Sequence, residues 1–388
     1  MNIILFDTPA RNRLFPLTLT RALADIRMGI YTMKERWQML TGKNAYVLTE
    51  EYLQPVYDPI PAEEFILIDA SVQVSKALCS AVSELNPGEA IYDDEGFIAG
   101  RAQGDIPAYN TDFKGLFNSR INIASQRRLR LPCEIFQWNE ETIRSDFKIV
   151  SKNRISGAHN ETVFLRNVSQ IFIEDGAVLD YCMLNALTGP IYIGKNAHIM
   201  EGCLIRGPFV LGDGAILKMG TRIYGATTIG PGCIVGGEIK NSVMMGYSNK
   251  AHDGYIGDSV IGEWCNMGAG TSNSNVKNSG GDVKVWNYAT NDYMSTGQKC
   301  GLVMGDYSRT AINTAINTGT VIGVCCNVFG EGLTPKVIPD FTWGTKGLTT
   351  YEFDKALKDI GNWTSMKNKE VGTEQKTVLR HIFDTYKD

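Results

Sequence analysis

Every sixth residue between Ile193 and Val235 is aliphatic. The eight positions are Ile193, Ile199, Ile205, Leu211, Leu217, Ile223, Ile229 and Val235. If about a quarter of residues are Ile, Leu or Val, eight consecutive matches have a chance probability of order 10⁻⁵ per starting position. Neither an α-helix nor an ordinary strand produces this spacing. A period of six predicts a hexapeptide β-helix, in which each hexad forms one face of a triangular prism and stacked coils bury a continuous core.

The repeat continues, with interruptions, over most of the second half of the chain. It begins near Val163, is interrupted around residues 241–255, and returns after a polar segment at 272–298 to end near Val328. The polar segment lacks hexads, so we expect it to leave the prism as a loop. We therefore assign a left-handed parallel β-helix to residues 160–335.

The residues after the β-helix lack the repeat. We assign residues 336–388 to a C-terminal arm, which begins with a segment rich in Pro, Gly and Trp. Apolar spacing predicts helices near residues 350–361 and 373–386 of this arm.

The first part of the chain has a different pattern. Buried strands are predicted at residues 1–6, 45–49 and 65–69, and apolar residues spaced three and four apart predict a helix over residues 23–40. This order of strand, loop, helix and strand is typical of a small α/β domain with a parallel, Rossmann-like sheet. We assign this domain and a linker to residues 1–150.

Composition excludes several classes of protein. Lys plus Arg number 38 and Asp plus Glu 42, so the net charge of −4 gives no general attraction to nucleic acid or to an anionic membrane. The first residues lack the basic start and the long apolar core of a signal peptide, and no apolar run is long enough to span a membrane. The nine cysteines are scattered and form no CxxC pair. We expect a reduced, cytoplasmic protein.

A motif within residues 248–275 points to chemistry. The segment reads SNKAHDGYIGDSVIGEWCNMGAGTSNSN. It resembles the acetyltransferase domain of the bifunctional bacterial family of glucosamine-1-phosphate N-acetyltransferase / UDP-N-acetylglucosamine pyrophosphorylase. The family's active-site motifs correspond here to Lys250-Ala251-His252, to Tyr255, to the segment Asn266-Met267-Gly268-Ala269-Gly270 and to Asn275. The resemblance implies a trimer that holds acyl-CoA in the groove between neighbouring prisms.

His252 is the candidate catalytic base. Acetyl transfer to a sugar amine requires an unprotonated amine, and histidine, with an ordinary pKa of about 6.5, is suited to accept the proton near neutral pH. The alternative for His252 is a structural or solvent-facing role. His198 falls on an outward position of a hexad, where we expect a structural role. The histidines lack the spacing of a zinc-binding prism.

Four further residues correspond by resemblance to the family's substrate site. Lys240 and Arg222 match its phosphate-binding cations, and arginine can grip a phosphate with two parallel hydrogen bonds. Tyr255 and Asn266 would bind sugar hydroxyls or the N-acyl group. The alternatives are surface charges for the two cations and packing or turn roles for Tyr255 and Asn266.

The acyl-CoA site is implied by the same resemblance. Ala269 and Asn275 would contact acetyl-CoA, and Lys284 is a further candidate phosphate ligand. Two positions depart from the family: Val276 replaces an aromatic residue, and Asp306 stands near the place of a CoA-contacting serine. An acid beside a diphosphate repels it unless the acid faces away.

The N-terminal domain carries part of a second motif. Residues 13–18, RLFPLT, are similar to the run that follows the phosphate-binding loop of sugar nucleotidyltransferases, but TPARN stands where that loop has its glycines. The resemblance makes Arg11, Arg13 and Arg21 candidate nucleotide ligands. Asp69, at the end of the strand FILID, is the candidate magnesium ligand.

These observations lead to one preferred function and two alternatives. The preferred function is acetyl-CoA-dependent N-acetylation of glucosamine-1-phosphate by a homotrimer, coupled to uridylyl transfer from UTP with Mg²⁺ if the N-terminal domain is active, which yields UDP-N-acetylglucosamine for the cell envelope. The first alternative is a sugar nucleotidyltransferase whose β-helix serves assembly. The second is a non-catalytic trimeric scaffold that binds nucleotide sugars. Neither nucleic acid nor a membrane is an expected partner.

Overall fold

The computed structural model describes residues 1–61, 64–109 and 113–386. The N-terminal α/β domain contains eight strands, which are β1 (Asn2–Phe6), β2 (Arg27–Met28), β3 (Tyr31–Thr32), β4 (Ala45–Leu48), β5 (Phe65–Asp69), β6 (Glu89–Asp93), β7 (Gly96–Ala102) and β8 (Ser119–Asn122). Six of them form one sheet in the order β4-β1-β5-β7-β6-β8. β1 is parallel to β4 and β5, as predicted, whereas β7 is antiparallel to both of its neighbours.

The described residues of this part of the chain also form the helices α1 (Met33–Thr41), α2 (Lys76–Ser83), α3 (Pro132–Gln137) and α4 (Asn139–Val150). The apolar residues of α4 pack against the second part of the chain. The predicted helix over residues 23–40 is wrong in its first half. The chain turns at Gly29, whose φ is +71°, and β2 and β3 pair as a short hairpin before the helix begins. Thr32 then caps α1 in a reciprocal capping box with Glu35, which fixes the start of the helix.

The second part of the chain is a parallel β-helix with three faces. Face A contains Phe164–Arg166, Met183–Asn185, Leu204–Arg206, Arg222–Tyr224, Glu238–Lys240 and Tyr255–Gly257. Face B contains Ile171–Ile173, Ile191–Ile193, Phe209–Leu211, Thr227–Ile229, Val243–Gly246, Val260–Glu263, Leu302–Met304, Thr320–Ile322 and Val337–Ile338. Face C contains Val178–Leu179, His198–Ile199, Ile216–Leu217, Ile234–Val235, Asn249–Lys250, Asn266–Met267, Arg309–Thr310, Asn327–Val328, Thr342–Trp343 and the antiparallel Thr349–Thr350.

The hexad residues fill the prism as predicted. Ile193 stacks on Leu211, and Leu211 on Ile229, along face B, while Leu217 stacks on Val235 along face C. All of these side chains are buried in one hydrophobic core. The predicted fold class, an α/β domain followed by a hexapeptide β-helix and a helical arm, is confirmed. The stacking continues past the boundary assigned at residue 335, because Val337–Ile338 and Thr342–Trp343 still pair within faces B and C.

The polar segment predicted to leave the prism does so. It projects as an antiparallel hairpin of Lys284–Asn287 and Asp292–Ser295. The amide Nδ2 of Asn287 donates to the carbonyl of Arg13 at 3.0 Å, so the hairpin reaches the N-terminal domain.

The two parts of the chain share a hydrophobic core. The outward face B residues Val243, Val260 and Val303 are buried in the same cluster as Leu5 and Trp37 of the N-terminal domain. Face B therefore packs against the α/β domain, which leaves faces A and C for other contacts.

The C-terminal arm ends in two helices, α5 (Phe353–Ser365) and α6 (Thr373–Tyr386). Their apolar residues pack in one cluster with Phe341 of the β-helix and with Phe15 and Leu53 of the N-terminal domain. The arm thus joins both parts of the chain. In the part of the chain that the structure describes, every helix is too short or too polar to cross a lipid bilayer.

Candidate active sites

One turn of the β-helix between faces C and A is shorter than its neighbours. Four residues connect Leu217 to Arg222 and four connect Lys250 to Tyr255. Val235 and Glu238 pair in register with Lys250 and Tyr255, yet only Gly236 and Gly237 lie between them. The turn of residues 251–254, which we call the His252 turn, therefore projects beyond the shorter turn of residues 236–237, and we call the step between the two turns the recess.

The short turn requires glycine. A Cβ atom on Gly236 would lie 2.6 Å from the carbonyl oxygen of Ala251, and one on Gly237 would lie 2.7 Å from that of Gly254. Gly237 also has a φ of +75°, a conformation that other residues rarely adopt. The glycine pair allows the His252 turn to lie directly on the coil below.

His252 lies at the exposed edge of this overhang, outside the hydrophobic core. Its backbone carbonyl accepts a hydrogen bond from Nζ of Lys250 at 2.7 Å, and the carbonyl of Asp253 accepts a second at 2.8 Å. The Lys250 side chain is buried, and burial lowers its pKa to about 8, against the opposing effect of the Asp253 carboxylate. The motif included Lys250, but sequence reasoning gave it no role.

Face A presents charged and aromatic side chains next to the recess. Arg222, Glu238 and Tyr255 follow one another in register on successive strands. The hydroxyl of Tyr224 donates to Oε1 of Glu238 at 2.6 Å, and Nε of Arg222 lies 3.6 Å from Oε2 of the same carboxylate. Glu238 thus holds Arg222 on face A while offsetting part of its charge.

Asp258 connects the upper part of this group. Its buried carboxylate lies 3.9 Å from Nζ of Lys240 and accepts a hydrogen bond from Asn241 at 2.6 Å. The amide of Asn275 also donates to Asp258, and donates to the hydroxyl of Tyr255 at 3.2 Å. Burial, reinforced by Asp258, raises the pKa of Tyr255, which keeps that hydroxyl protonated. The sequence identified Lys240, Tyr255 and Asn275 but neither Asp258 nor Glu238.

The structure therefore brings together four of the predicted ligands. We call them, with their two carboxylate partners, the face A cluster, which consists of Arg222, Glu238, Lys240, Tyr255, Asp258 and Asn275. Tyr255 lies across Gly257, since a Cβ there would be 2.1 Å from the tyrosine oxygen. The turn of residues 268–271, which contains Ala269, lies on the other side of the His252 turn, because the amide of Gly270 donates to the carbonyl of Asp253 at 2.8 Å.

Two predicted ligands lie elsewhere. Asn266 is on face C, in register between Asn249 and Arg309, and not on face A. Lys284 is on the first strand of the hairpin, where it pairs with Ser295. Within the described residues, neither is hydrogen-bonded to the face A cluster.

Asp306 faces the N-terminal domain. Its buried carboxylate accepts hydrogen bonds from Oγ1 of Thr20 at 2.7 Å, from the backbone amide of Glu263 at 2.8 Å and from Arg21. The acid that departs from the family pattern therefore joins the two parts of the chain. Arg21, predicted as a nucleotide ligand, is corrected to this structural role, because its guanidinium is buried between Asp306 and Glu263.

A second cleft, of about 830 Å³, lies at the carboxyl ends of β1 and β5. Ligands of α/β sheets bind at such edges. Arg13 and Asp69 line this cleft, as does Arg128. Arg13 is exposed, whereas Arg11 is fully buried and its guanidinium lies 3.2 Å from both Asp7 and Glu50. The prediction that Arg11 binds nucleotide is therefore wrong: it anchors the loop below the cleft.

Arg128 binds the acids of this cleft. It donates to both oxygens of Asp93, at 2.7 and 2.9 Å, and its Nε lies 3.7 Å from Oδ2 of Asp69. Burial works against ionisation of Asp93, but the hydrogen bonds from Arg128 and from the Gln126 amide outweigh it and lower its pKa. Burial raises the pKa of Asp69.

The surroundings of Asp69 do not fit a magnesium site. Its Oδ1 accepts from both the backbone amide and the hydroxyl of Ser71, at 2.9 and 2.7 Å, while Oδ2 faces the Arg128 guanidinium. Among the residues that the structure describes, no group of three or more His, Cys, Asp or Glu side chains is arranged to hold a metal ion. We derive no metal-dependent step at this position.

Parts of the chain are similar to known transferases. Residues 3–155 match the family model described as sugar nucleotidyl transferase. The chain is 39% identical, over 92 residues or 24% of its length, to a bifunctional sugar-1-phosphate nucleotidylyltransferase/acetyltransferase of Sulfurisphaera tokodaii. It is 33% identical, over 106 residues or 27% of its length, to the bifunctional protein GlmU of Methanocaldococcus jannaschii. The resemblance to bifunctional transferases is confirmed. The matches span 23% and 26% of those relatives' lengths, so the chain covers about a quarter of each.

A solved structure, the Arabidopsis UDP-N-acetylglucosamine acyltransferase, aligns with 59% of this chain and 90% of its own. The sequence identity is 13% and the TM-score is 0.29.

Proposed function

We propose that the β-helix catalyses acetyl-CoA-dependent N-acetylation of glucosamine-1-phosphate. The observation that carries this proposal is the exposed His252, held over a glycine-floored recess and next to a face that presents Lys240 and Arg222. An imidazole in solvent reach can accept a proton, and adjacent cations can bind a phosphate.

The proposed reaction uses His252 as the base. The sugar amine attacks the thioester carbonyl of acetyl-CoA, an N–C bond forms, and His252 takes the proton that the amine loses. Collapse of the tetrahedral intermediate breaks the C–S bond, and the CoA thiolate leaves and recovers a proton, so that the products are the amide and free CoA thiol. Backbone amides of the turn around Ala269 are candidates to stabilise the oxyanion.

The face A cluster supplies the proposed substrate contacts. Lys240 and Arg222 would bind the sugar phosphate, since each cation is only partly offset by its carboxylate, at 3.9 Å from Asp258 and 3.6 Å from Glu238. Tyr255, which stays protonated, can donate a hydrogen bond to the substrate. Asn275 would contact acetyl-CoA from the adjacent coil.

The active unit is proposed to be a homotrimer. An apolar row of Phe164, Met183 and Leu204 is in register on face A and exposed in the single chain. Contiguous exposed apolar residues favour association with another protein surface. A second copy of this chain packed there would enclose the cluster and provide the other wall of an acyl-CoA groove.

Nucleotide binding is the proposed role of the N-terminal cleft. The match of residues 3–155 to sugar nucleotidyl transferases supports it, and Arg13 is an exposed cation at its rim. Uridylyl transfer from UTP with Mg²⁺, giving UDP-N-acetylglucosamine, is the second candidate activity. The present partners of Asp69 do not support a metal there, so this activity rests on the family match.

One assay tests both activities. The purified chain is incubated with acetyl-CoA, glucosamine-1-phosphate and UTP, with and without Mg²⁺, while free thiol and pyrophosphate are followed separately. Release of thiol supports the acetyltransferase proposal, and release of pyrophosphate supports uridylyl transfer. Absence of thiol release at saturating substrates would contradict the main proposal.

A further inference from the structure

Lys250 occupies a core position of the β-helix. On face C the inward residues below it are Leu217 and Val235, in register, and Met267 is the corresponding residue of the next coil. Val235, Lys250 and Met267 are all buried. We call this column of stacked core residues the file. Lys250 is a charged residue in a file whose neighbouring members, Leu217, Val235 and Met267, are apolar.

The ammonium group of Lys250 contacts only one structural feature within the described residues. Nζ donates to the carbonyl oxygens of His252 and Asp253, at 2.7 and 2.8 Å, and both belong to the His252 turn. A Cβ on Gly254 would lie 3.0 Å from Nζ, so glycine at that position keeps the approach open. The side chain thus extends from the core to the base of the turn.

This arrangement is unfavourable for stability alone. An aliphatic residue would fill the same core position without desolvating a charge, and replacing buried charges by apolar groups is often neutral or stabilising. Carbonyl oxygens at a turn can bind water instead of a lysine. The buried charge therefore calls for a role other than packing.

We propose that Lys250 is a positioning residue that fixes the backbone of the His252 turn from inside the prism. This inference rests on the proposed function of His252 as the base. Because two consecutive carbonyls are held by one ammonium group, the peptide that carries the imidazole has one orientation over the recess. A displacement of about 1 Å of a catalytic group can lower a rate by roughly 10²-fold.

The test is the variant Lys250→Met, since methionine has an unbranched chain of similar length and already occupies position 267 of the same file. We expect kcat for acetyl transfer to fall by roughly 10- to 100-fold, with KM for both substrates changed by less than about twofold. The backbone amides of Glu238 and Gly270, which donate to the carbonyls of Gly254 and Asp253 in the His252 turn, should lose protection from hydrogen exchange, while the melting temperature stays equal or rises.

The matched control is Leu217→Met, a volume-conserving change in the same file two coils below, which should leave kcat and the exchange of the Glu238 and Gly270 amides unchanged. Unaltered exchange in Lys250→Met, or a lowered melting temperature with normal kcat, would overturn the proposal. If neither Lys250→Met nor Lys250→Leu folds, Lys250 is needed for the fold itself and the proposal also fails.

The two proposals can fail separately. A wild-type chain that releases no thiol from acetyl-CoA contradicts the role of His252. The exchange of the Glu238 and Gly270 amides in Lys250→Met still decides whether Lys250 holds the turn.

Discussion

Arg21 of the N-terminal domain is buried against Asp306 of the β-helix, although 285 residues separate them in the chain. Arg21 also lies 3.1 Å from Glu263, so one guanidinium bridges two carboxylates across the boundary between the two parts. Removal of Asp306 leaves the buried guanidinium with the partly exposed Glu263 as its carboxylate partner, and takes away the acceptor of the Thr20 hydroxyl and of the Glu263 amide. We expect Asp306→Leu to lower the free energy of unfolding by about 3–5 kcal/mol, measured by urea denaturation.

The double variant Arg21→Met/Asp306→Leu is the control for this ion pair. It removes both charges, so it should recover much of the stability lost in the single variant. A double variant as unstable as the sum of the two single variants would mean that the pair is not coupled.

His252→Ala should separate activity from folding. The imidazole is exposed and outside the core, so the melting temperature should stay within about 2 °C of the wild type. Acetyl transfer, followed by thiol release, should slow by about 10²–10⁴-fold. The matched control is His198→Ala, at an outward position of face C three coils below, and its turnover should equal that of the wild type. Equal turnover in His252→Ala would exclude this residue as the base.

One methyl group under the His252 turn can displace it from the coil below. Gly237→Ala places a Cβ 2.7 Å from the carbonyl oxygen of Gly254 and forces alanine into a φ of +75°. We expect a loss of acetyl transfer together with about 1–2 kcal/mol of stability. Gly220→Ala, in the turn below, has a similar φ of +71° but no atom within 4 Å of its new Cβ. It has the strained φ without the overlap, so it should lose less stability than Gly237→Ala and keep its activity. Similar activity losses in both variants would show that backbone strain, and not displacement of the His252 turn, lowers the rate.

Asp340 gives the fold a pH dependence. Burial raises the pKa of this carboxyl from 3.8 to about 7, although the Val324 amide donates to it at 2.6 Å. Between these two values the folded chain holds a proton that the unfolded chain releases, so this contribution to stability falls as pH rises from about 4 to 7. Asp340→Asn keeps the hydrogen bond and should be more stable than the wild type at pH 8, with a gain that shrinks toward pH 4 in chemical denaturation.

The comparison for this pH effect is Asp213→Asn, at the equivalent corner between faces B and C. Its side chain also accepts a backbone hydrogen bond, from Lys195 at 2.8 Å, but it is exposed. We expect its difference from the wild type to vary little with pH. A gain in Asp340→Asn that is constant from pH 4 to 8 would contradict the assignment.

Arg13→Ala tests the N-terminal cleft. Arg13 is exposed at the cleft and its backbone carbonyl, which binds Asn287, is kept in the variant. We expect weaker UTP binding, measured by calorimetry, and unchanged thiol release in the acetyltransferase assay. The surface variant Arg144→Ala should affect neither, and unchanged UTP binding in Arg13→Ala would assign the phosphates to other groups of the cleft.

The six-residue period was sufficient to predict the β-helix, because each aliphatic residue of a hexad fills the same place in the prism. The short turn of residues 236–237 was harder to predict from the sequence. The spacing of aliphatic residues drops from six to four between Val235 and Ile239, which indicates a turn that is two residues shorter. The sequence analysis instead places the interruption of the repeat at residues 241–255. The core position of Lys250 was not predicted for a related reason. In the sequence, a charged residue at the sixth position indicates that the repeat has ended, and only the strand pairing shows that Lys250 stacks on Val235.

The buried arginines could not have been predicted from local sequence. Arg11 and Arg21 stand on either side of the RLFPLT run that resembles sugar nucleotidyltransferases, and charged residues are seldom fully buried. Arg11 has Asp7 four residues before it, but its second partner, Glu50, comes within reach only in the folded chain. The same is true of Asp306 and Glu263, the partners of Arg21.

The hydrophobic cluster that face B shares with the α/β domain limits how such a chain can be divided. Val243, Val260 and Val303 point outward from the prism and are buried because the α/β domain covers them. The α/β domain or the β-helix produced alone would expose a large apolar surface to water, which favours aggregation. Separating the two chemistries is therefore a task for point substitutions in an intact polypeptide rather than for truncation.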